Sequence, residues 1–270
     1  MKQLINLVFS VFVSGLTVSS GQLIVAHRGA SHDAPENTMA AFSLAWEQGA
    51  DAIEGDFYLS KDGAIVCIHD ADLKRTAGKD VNVADSTLAE LRQYDVGSWK
   101  DKRFAAERIP TLAEVLAIVP EGKKILVEIK CGAEIVPALE KAVDACKLNI
   151  AEQVVIISFN NDVVIGCRHV LPELKVNWLT GFKLNEETHT WSPTLNGVMT
   201  ILKETRATGL GCMAEPTMVT PALVTQLRAA KLEFHCWTVD DVDLAKYLCG
   251  LGIDSITTNR PGWLRAALAP

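Results

Sequence analysis

Short apolar runs alternate along this chain with stretches whose apolar residues recur at helical spacing. Eight runs have the length and composition of buried strands, namely Leu23–Ala26, Ala52–Tyr58, Lys124–Ile129, Val154–Ser158, Lys175–Leu179, Gly211–Ala214, Glu233–Val239 and Asp254–Thr258. Amphipathic stretches fall between most of them, including Met39–Gln48, Ala133–Cys146, Pro221–Ala230 and Val242–Leu251. Strands that alternate with helices form parallel sheets. Eight such units predict an α/β fold, a closed TIM (β/α)8 barrel, and 270 residues suffice because such barrels take about 250.

One region interrupts the alternation. Residues 59–110 separate the second predicted strand from its helix, which begins at the capping-box signature of Thr111. The dipeptide Asp62-Gly63 is a hairpin signal, and a short strand follows at Ala64–Ile68. We therefore predict an insertion of about residues 59–110 on a barrel loop, and not an independent domain.

The N-terminus has the pattern of a secretory signal peptide. Lys2 precedes the apolar stretch Leu4–Val18, and small residues follow at positions 19–21. The apolar stretch is short for a membrane span, which needs about 20 residues, although an uncleaved anchor is the alternative. We predict a signal peptide at residues 1–21 and a single catalytic domain at 22–270. The mature protein would be exported, to a periplasm or the medium, without stable membrane insertion.

The charge and the cysteine content exclude two classes of function. The formal net charge is −7, and loss of Lys2, the only charged residue in 1–21, would change it to −8. An acidic protein is a poor nucleic-acid binder, since phosphate backbones need a basic face. The seven cysteines contain no CxxC pair, so a structural zinc site is not expected. Buried free thiols are the favoured interpretation.

The spacing of Glu54 and Asp56 carries the first chemical signal. Residues two apart on a strand point to the same side, so these two carboxylates would repel each other unless a cation lay between them. His27 and Arg28 end the first predicted strand, and His69 ends the hairpin strand. Active sites of such barrels lie where strands end and the following loops begin. These residues therefore predict a metal-assisted reaction on a phosphate ester.

A second pair with the same spacing, Glu128 and Lys130, ends the third predicted strand. Glu128 would supply a third carboxylate, and Lys130 a second positive charge for a phosphate. Oxygen ligands of this kind suit Mg²⁺ or Ca²⁺ better than a metal that prefers nitrogen and sulfur.

A series of short motifs spans residues 23–262. In chain order they are Ala26-His27-Arg28-Gly29, Pro35-Glu36-Asn37-Thr38, Glu54-Gly55-Asp56, Lys61-Asp62-Gly63, His69-Asp70, Gly97-Ser98-Trp99, Ile109-Pro110-Thr111-Leu112, Glu128-Ile129-Lys130, Trp237-Thr238-Val239 and Thr257-Thr258-Asn259-Arg260-Pro261. Each motif alone is weak, but in this order they are specific. The chain resembles the glycerophosphodiester phosphodiesterase family, whose members are TIM barrels with an insertion after the second strand.

The resemblance implies a role for each candidate residue. Glu54, Asp56 and Glu128 would bind a divalent cation. His27 would act as general base and His69 as general acid, while Arg28 and Lys130 would hold the phosphate. Trp237 would bind the substrate as an aromatic wall near the glycerol, and Glu36 and Asn37 would shape and support the site. Asn259 departs from the family, which often has aspartate there. Whether water or the substrate's own glycerol hydroxyl attacks phosphorus stays open.

Two other functions remain compatible with the sequence. One is a phospholipase D-like reaction on lysophospholipids, which an apolar rim on the second long loop, Gly181–Asn196, would favour. The other is a barrel that binds a phosphoryl ligand without turning it over, which the loss of a ligand or histidine would indicate. Glu215, Trp178 and Trp191 could contact the substrate or belong to the packed core.

Overall fold

The computed structural model describes residues 21–269, so the predicted signal peptide lies almost wholly outside the described residues. Within that range the strands are, in chain order, β1 (Leu23–Ala26), β2 (Ala52–Leu59), β3 (Ile65–Cys67), β4 (Lys124–Ile129), β5 (Val154–Ser158), β6 (Lys175–Thr180), β7 (Lys183–Asn185), β8 (Thr190–Ser192), β9 (Gly209–Met213), β10 (Glu233–Trp237) and β11 (Ser255–Thr258).

The helices of the same range are α1 (Met39–Glu47), α2 (Lys74–Ala77), α3 (Leu88–Leu91), α4 (Leu112–Ala117), α5 (Val136–Ala145), α6 (Ile150–Gln153), α7 (Asn161–Val170), α8 (Leu195–Thr205), α9 (Pro221–Ala229), α10 (Val242–Leu251) and α11 (Pro261–Leu268). Two 3₁₀ turns, Lys102–Phe104 and Ala133–Ile135, complete the set. None of the helices between residues 21 and 269 is both long and apolar enough to span a bilayer.

Eight strands close into a parallel barrel, which confirms the predicted TIM fold. Their order around the barrel is β1, β2, β4, β5, β6, β9, β10 and β11, and β11 pairs with β1. The register places Asp56 of β2 directly beside Glu128 of β4, so both side chains point into the barrel. A small apolar cluster fills the interior, namely Val25, Ala52, Leu126, Val155, Ile157 and Leu179, with Trp237 packed against it. The larger core lies between the barrel and its helices.

Several predicted boundaries were wrong by one or two residues, and the strand predicted at Gly211–Ala214 shows why. It is β9, which begins two residues earlier, at Gly209. A Cβ atom added at Gly209 would lie 2.8 Å from the Glu233 carbonyl oxygen, so the close approach of neighbouring strands requires glycine there. The strand predicted at Glu233–Val239 ends at Trp237, although Val239 N still donates to Thr257 O of the neighbouring strand.

The region between β2 and α4 carries its own small core. β3 runs antiparallel to the end of β2, as the Asp62-Gly63 signal predicts. The short helices α2 and α3 pack over β3 through a second cluster of buried residues, namely Val66, Ile68, Leu73, Val83, Leu91, Val96 and Ile109. The segment predicted as a long loop, residues 181–196, contains the β7–β8 hairpin, which the sequence analysis did not predict. The exposed, largely polar strands of that hairpin gave no apolar run to detect.

The turn after β1 depends on Gly29, and we expect Gly29→Ala to destabilise the fold. The backbone φ of Gly29 is +78°, and an added Cβ would lie 2.5 Å from the carbonyl carbon of Ala41 in α1. Left-handed strain and overpacking together cost about 2–5 kcal/mol. The matched control is Gly63→Ala, where φ is +81° but no atom lies within 4 Å, so only the strain of about 1–2 kcal/mol applies. Urea unfolding measures both, and equal losses would contradict the clash at Gly29.

Candidate active site

A cavity of about 150 Å³ opens at the carboxyl end of the barrel strands. One wall is polar and comes from the first part of the chain, with His27, Arg28, Glu54, His69, Glu128 and Lys130. The opposite wall is largely apolar and comes from later strands, with Ile157, Phe159, Leu179 and Trp237. The structure thus brings seven of the ten predicted site residues to one cavity, and the other three, Glu36, Asn37 and Asp56, lie directly behind its polar wall.

Three buried carboxylates form the centre of the polar wall. Glu54, Asp56 and Glu128 are 2%, 1% and 8% exposed, and each offers an oxygen within 4.8 Å of the others. Burial, followed by the charges of Asp56 and Glu128, raises the pKa of Glu54 well above its usual value. Burial and Asp56 likewise raise the pKa of Glu128 to about 7. The three carboxylates therefore need a positive charge beside them to stay ionised together.

The donor set fits a hard divalent cation. Two oxygens that each lie about 2.4 Å from one ion can be separated by at most about 4.8 Å, and the oxygens of this cluster lie within that limit of one another. Glu54 Oε1 is buried and has no hydrogen-bond partner, whereas Glu54 Oε2 accepts from the backbone N–H of Arg28 at 2.9 Å. One oxygen of Glu54 is thus held by the protein and the other is left for a ligand. Carboxylate oxygens without nitrogen or sulfur favour Mg²⁺ or Ca²⁺.

Asn37 orients the Asp56 carboxylate from behind. Its Nδ2 donates to Asp56 Oδ2 at 2.8 Å, while its Oδ1 accepts from the Asp56 backbone N–H at 3.2 Å. The buried thiol of Cys67 donates to the same Asn37 oxygen at 3.3 Å. These contacts leave Asp56 Oδ1 toward the cavity, where Lys130 Nζ lies 3.4 Å away. The contact from Cys67 was not predicted, because a lone cysteine in an apolar strand carries no chemical pattern.

Two cationic side chains flank the carboxylates. Lys130 Nζ donates to Glu128 Oε1 at 2.7 Å. Arg28 Nε lies 3.2 Å from Asp56 Oδ2, an ion-pair contact with poor hydrogen-bond geometry, and Arg28 Nη1 donates to Glu36 Oε1 at 3.0 Å. Burial opposes both charges, but the neighbouring carboxylates, Asp56 first, together outweigh it and raise the pKa of Arg28 and of Lys130. Both cations therefore stay charged at the cavity wall.

Each cavity histidine is held through its Nδ1 atom. His27 Nδ1 lies 2.7 Å from Asn259 Oδ1. Because Asn259 Nδ2 donates to Asp240, its oxygen faces His27, so His27 Nδ1 is the donor. Burial and then Arg28 lower the pKa of His27. The oxygen of Asn259 thus supplies the acceptor that an aspartate would otherwise provide, and leaves His27 Nε2 for the cavity.

His69 is oriented by the next residue in the chain. His69 Nδ1 lies 2.6 Å from Asp70 Oδ1. Burial opposes ionisation of Asp70, but hydrogen bonds from Arg75 and His69 outweigh it and lower the pKa of Asp70. An ionised carboxylate only accepts, so His69 Nδ1 donates and Nε2 is left for the cavity.

Phe159 was missed by the sequence analysis. It follows β5 directly and its side chain is 46% exposed. Its ring meets Trp237 edge to face, with centroids 5.5 Å apart and an interplanar angle of 76°, and Lys130 Nζ lies 5.9 Å from the ring centroid. An aromatic residue directly after a barrel strand was the signal available, because βα loops form the sites of such barrels.

Three residues with open roles lie outside the cavity. Glu215 Oε1 accepts from the backbone N–H of Thr217, within its own loop. Trp178 is 5% exposed and belongs to the core outside the barrel, and Trp191 packs against that core from the hairpin. A fourth residue, His235 of β10, also lies outside the cavity. Its Nδ1 atom is 2.8 Å from Ser255 Oγ of the neighbouring strand β11.

Comparison with known proteins decides the family. The profile of the glycerophosphoryl diester phosphodiesterase family matches residues 27–263. The chain belongs to this family. A glycerophosphodiester phosphodiesterase of Caldanaerobacter subterraneus subsp. tengcongensis is 35% identical over 244 residues, covering 88% of this chain and 94% of that protein. The family resemblance predicted from the motifs is confirmed.

Solved structures of the glycerophosphoryl diester phosphodiesterase family show the same fold. A phosphodiesterase of Oleispira antarctica, solved in complex with the product sn-glycerol-3-phosphate, superposes with a TM-score of 0.81 at 27% identity and covers 92% of this chain and 97% of its own. A glycerophosphodiester phosphodiesterase of Agrobacterium tumefaciens gives a TM-score of 0.73 at 27% identity, with 91% and 99% coverage. Both align over almost their full length.

Proposed function

We propose that this protein hydrolyses glycerophosphodiesters to glycerol 3-phosphate and an alcohol. Glu54, Asp56 and Glu128 would hold Mg²⁺ or Ca²⁺, and His27 and His69 would transfer protons. The observation that carries the proposal is the convergence of a three-carboxylate cluster, two Nδ1-anchored histidines and two cations on one cavity. The family membership and the product bound to the Oleispira antarctica relative support the same substrate class.

The charge of the polar wall explains why a cation would be needed. With all side chains ionised, three carboxylates and two cationic side chains leave one formal negative charge. That surface would repel a phosphodiester, which itself carries one negative charge. A bound divalent cation would make the wall positive by one charge, which matches the substrate.

The residues present can supply each step of hydrolysis. When bound, the cation would stabilise charge on the phosphoryl oxygens. Arg28 and Lys130 would hold the phosphate from either side. His27 Nε2 would take the proton of the attacking oxygen as that oxygen bonds to phosphorus; the oxygen belongs to water, or to the glycerol hydroxyl, in which case water then opens the cyclic phosphate. His69 Nε2 would donate a proton to the leaving alcohol as the bond between phosphorus and that alcohol breaks.

The structure favours a small headgroup over a lipid. A lysophospholipid would need apolar surface that continues outward from the cavity. The β7–β8 hairpin instead exposes polar side chains, and Leu184 is its one exposed large apolar residue. The apolar wall at Ile157, Leu179 and Trp237 is therefore suited to the carbon skeleton of a short alcohol or of glycerol.

We expect the purified protein to hydrolyse glycerophosphocholine with Mg²⁺ or Ca²⁺ and to lose the activity in excess chelator. A panel of glycerophosphodiesters and one lysophosphatidylcholine, assayed for released alcohol and glycerol 3-phosphate, measures headgroup preference. Faster turnover of the lysolipid would favour the phospholipase D-like alternative. Tight phosphodiester binding without turnover under any metal would show a binding protein instead.

We also propose that residues 1–21 direct export, because Lys2 and the apolar stretch Leu4–Val18 have the pattern of a signal peptide. The mature protein recovered from the periplasm or the medium is expected to begin near Gln22. N-terminal sequencing checks this, and retention of Met1 in the membrane fraction would indicate an anchor.

A further inference from the structure

Arg75 connects two carboxylates that lie far apart in the sequence. It belongs to the short helix α2 of the insertion, and its side chain is 42% exposed. Arg75 Nε donates to Asp70 Oδ2 at 2.7 Å. Its Nη1 and Nη2 atoms donate to the two oxygens of Glu36 at 2.7 and 2.8 Å. One guanidinium thus fixes both carboxylates with three hydrogen bonds.

Each of these carboxylates also holds a residue of the cavity. Asp70 Oδ1 accepts from His69 Nδ1 at 2.6 Å, and Glu36 Oε1 accepts from Arg28 Nη1 at 3.0 Å. A continuous chain of hydrogen bonds therefore runs from His69 through Asp70, Arg75 and Glu36 to Arg28. Arg75 itself does not line the cavity.

The charges along this chain show what Arg75 contributes. Burial opposes ionisation of Glu36, but the hydrogen bond from Arg75 and then the charge of Arg28 outweigh it and lower the pKa of Glu36. Without Arg75, the two carboxylates would each keep one partner and could rotate away from the arrangement that holds His69 and Arg28. A lysine has one nitrogen and no planar fork, so it cannot reproduce three hydrogen bonds to two carboxylates.

We propose that Arg75 is a positioning residue for the reaction in this cavity. Through Asp70 it fixes the ring of His69, and through Glu36 it fixes the guanidinium of Arg28, so that the proton donor and the phosphate contact keep one relative geometry. The inference rests on the proposed function, since it assigns Arg75 to the same site.

A structural role alone would give a different result. A half-exposed ion pair contributes about 0–1 kcal/mol to stability, which for a domain of this size shifts Tm by at most about 4 °C. Such a role predicts no selective loss of turnover. Positioning predicts the reverse, a large loss of kcat in a protein that is folded as before.

The test compares Arg75→Gln and Arg75→Lys with Lys74→Gln in the full-length chain. Lys74 is the adjacent residue of α2 and pairs with exposed Asp80 at 2.9 Å, which makes it the matched control. We expect Arg75→Gln to lower kcat about 10- to 100-fold with KM changed less than about 3-fold, and Lys74→Gln to match the unaltered protein. Arg75→Lys is expected to regain little. Full activity in Arg75→Lys, or equal effects in Arg75→Gln and Lys74→Gln, would overturn the proposal.

A double-mutant cycle separates action through Asp70 from a general effect. Once Asp70→Asn has removed the carboxylate, adding Arg75→Gln should lower kcat by a smaller factor than it does in the unaltered protein, because the path through Asp70 is already broken and only the path through Glu36 to Arg28 remains. Multiplicative losses would contradict action through Asp70.

A spectroscopic measurement separates failure of this inference from failure of the proposed function. In ¹H–¹⁵N spectra of the imidazole groups, the unaltered protein should show a strongly hydrogen-bonded Nδ1 proton on His69, and Arg75→Gln should lose it or exchange it faster. If the protein hydrolyses no phosphodiester but this signal still depends on Arg75, the proposed function fails and the positioning stands. If the protein is active and the signal is unchanged in Arg75→Gln, the positioning fails.

Discussion

Glu54→Gln is expected to abolish turnover and at the same time to stabilise the cation-free protein. Gln keeps the shape of the side chain and can still accept from the Arg28 N–H. It removes one of three buried like charges, whose mutual repulsion and burial raise the pKa of Glu54. Relief of that repulsion should add about 1–3 kcal/mol, or about 2–12 °C in Tm, in excess chelator. Loss of a cation ligand should lower kcat/KM by about 10³-fold or more, since a catalytic metal contributes several kcal/mol.

Thermal unfolding with and without Mg²⁺ or Ca²⁺ gives the sharper comparison. A ligand that binds only the folded protein at 100 times its Kd adds about 2.7 kcal/mol, so the unaltered protein should gain far more from the cation than Glu54→Gln. The order of stability would then invert between chelator and cation. Glu121→Gln, at an exposed position outside the cavity, is the control. An equal gain from the cation in both proteins would remove Glu54 from the metal site.

His69→Ala and His27→Ala are each expected to lower kcat by about 10²- to 10⁴-fold for glycerophosphocholine, the usual contribution of general acid–base catalysis. The two variants should differ when the leaving group is p-nitrophenol, because this leaving group departs without protonation. Activity of His69→Ala should then recover toward that of the unaltered protein, whereas His27→Ala should stay impaired. The pattern is measured as the ratio of kcat values for the two substrates.

The exposed His169 supplies the control, since His169→Ala removes an imidazole from the surface of α7. Recovery in His27→Ala instead of His69→Ala would exchange the roles of base and acid. Recovery in neither variant would show that neither histidine protonates the leaving group, which would contradict the proposed mechanism.

The barrel was predictable because its parallel strands are buried on both faces and therefore appear as apolar runs. Glu54, Asp56 and Glu128 stood out for the opposite reason, as charges inside such runs at a spacing of two. The residues that the sequence did not reveal act through contacts between distant segments. Arg75 meets Glu36 across 39 positions, and no periodicity encodes that pairing. The polar residues that follow Phe159, Asn160 to Asp162, have the pattern of a helix start, which explains them without a site.

The β7–β8 hairpin and the start of β9 escaped detection for local physical reasons. The hairpin lies outside the core, so its strands need no alternation of apolar and polar residues. Gly209 has low strand propensity, and only the approach of Glu233 and Asn177 to its backbone explains glycine there. Both features depend on what surrounds the segment and not on its own composition.

The two walls of the cavity come from different halves of the chain, and this separation bears on how specificity can change. The side chains proposed for proton transfer, cation binding and phosphate contact lie between His27 and Lys130, whereas the apolar wall lies between Ile157 and Trp237. Substitutions in the apolar wall can therefore alter which alcohol is accepted while leaving the reaction centre intact. A half-barrel exchange between relatives at residues 131–153 would transplant headgroup preference as one genetic unit, provided that the residue at position 259 still accepts from His27 Nδ1.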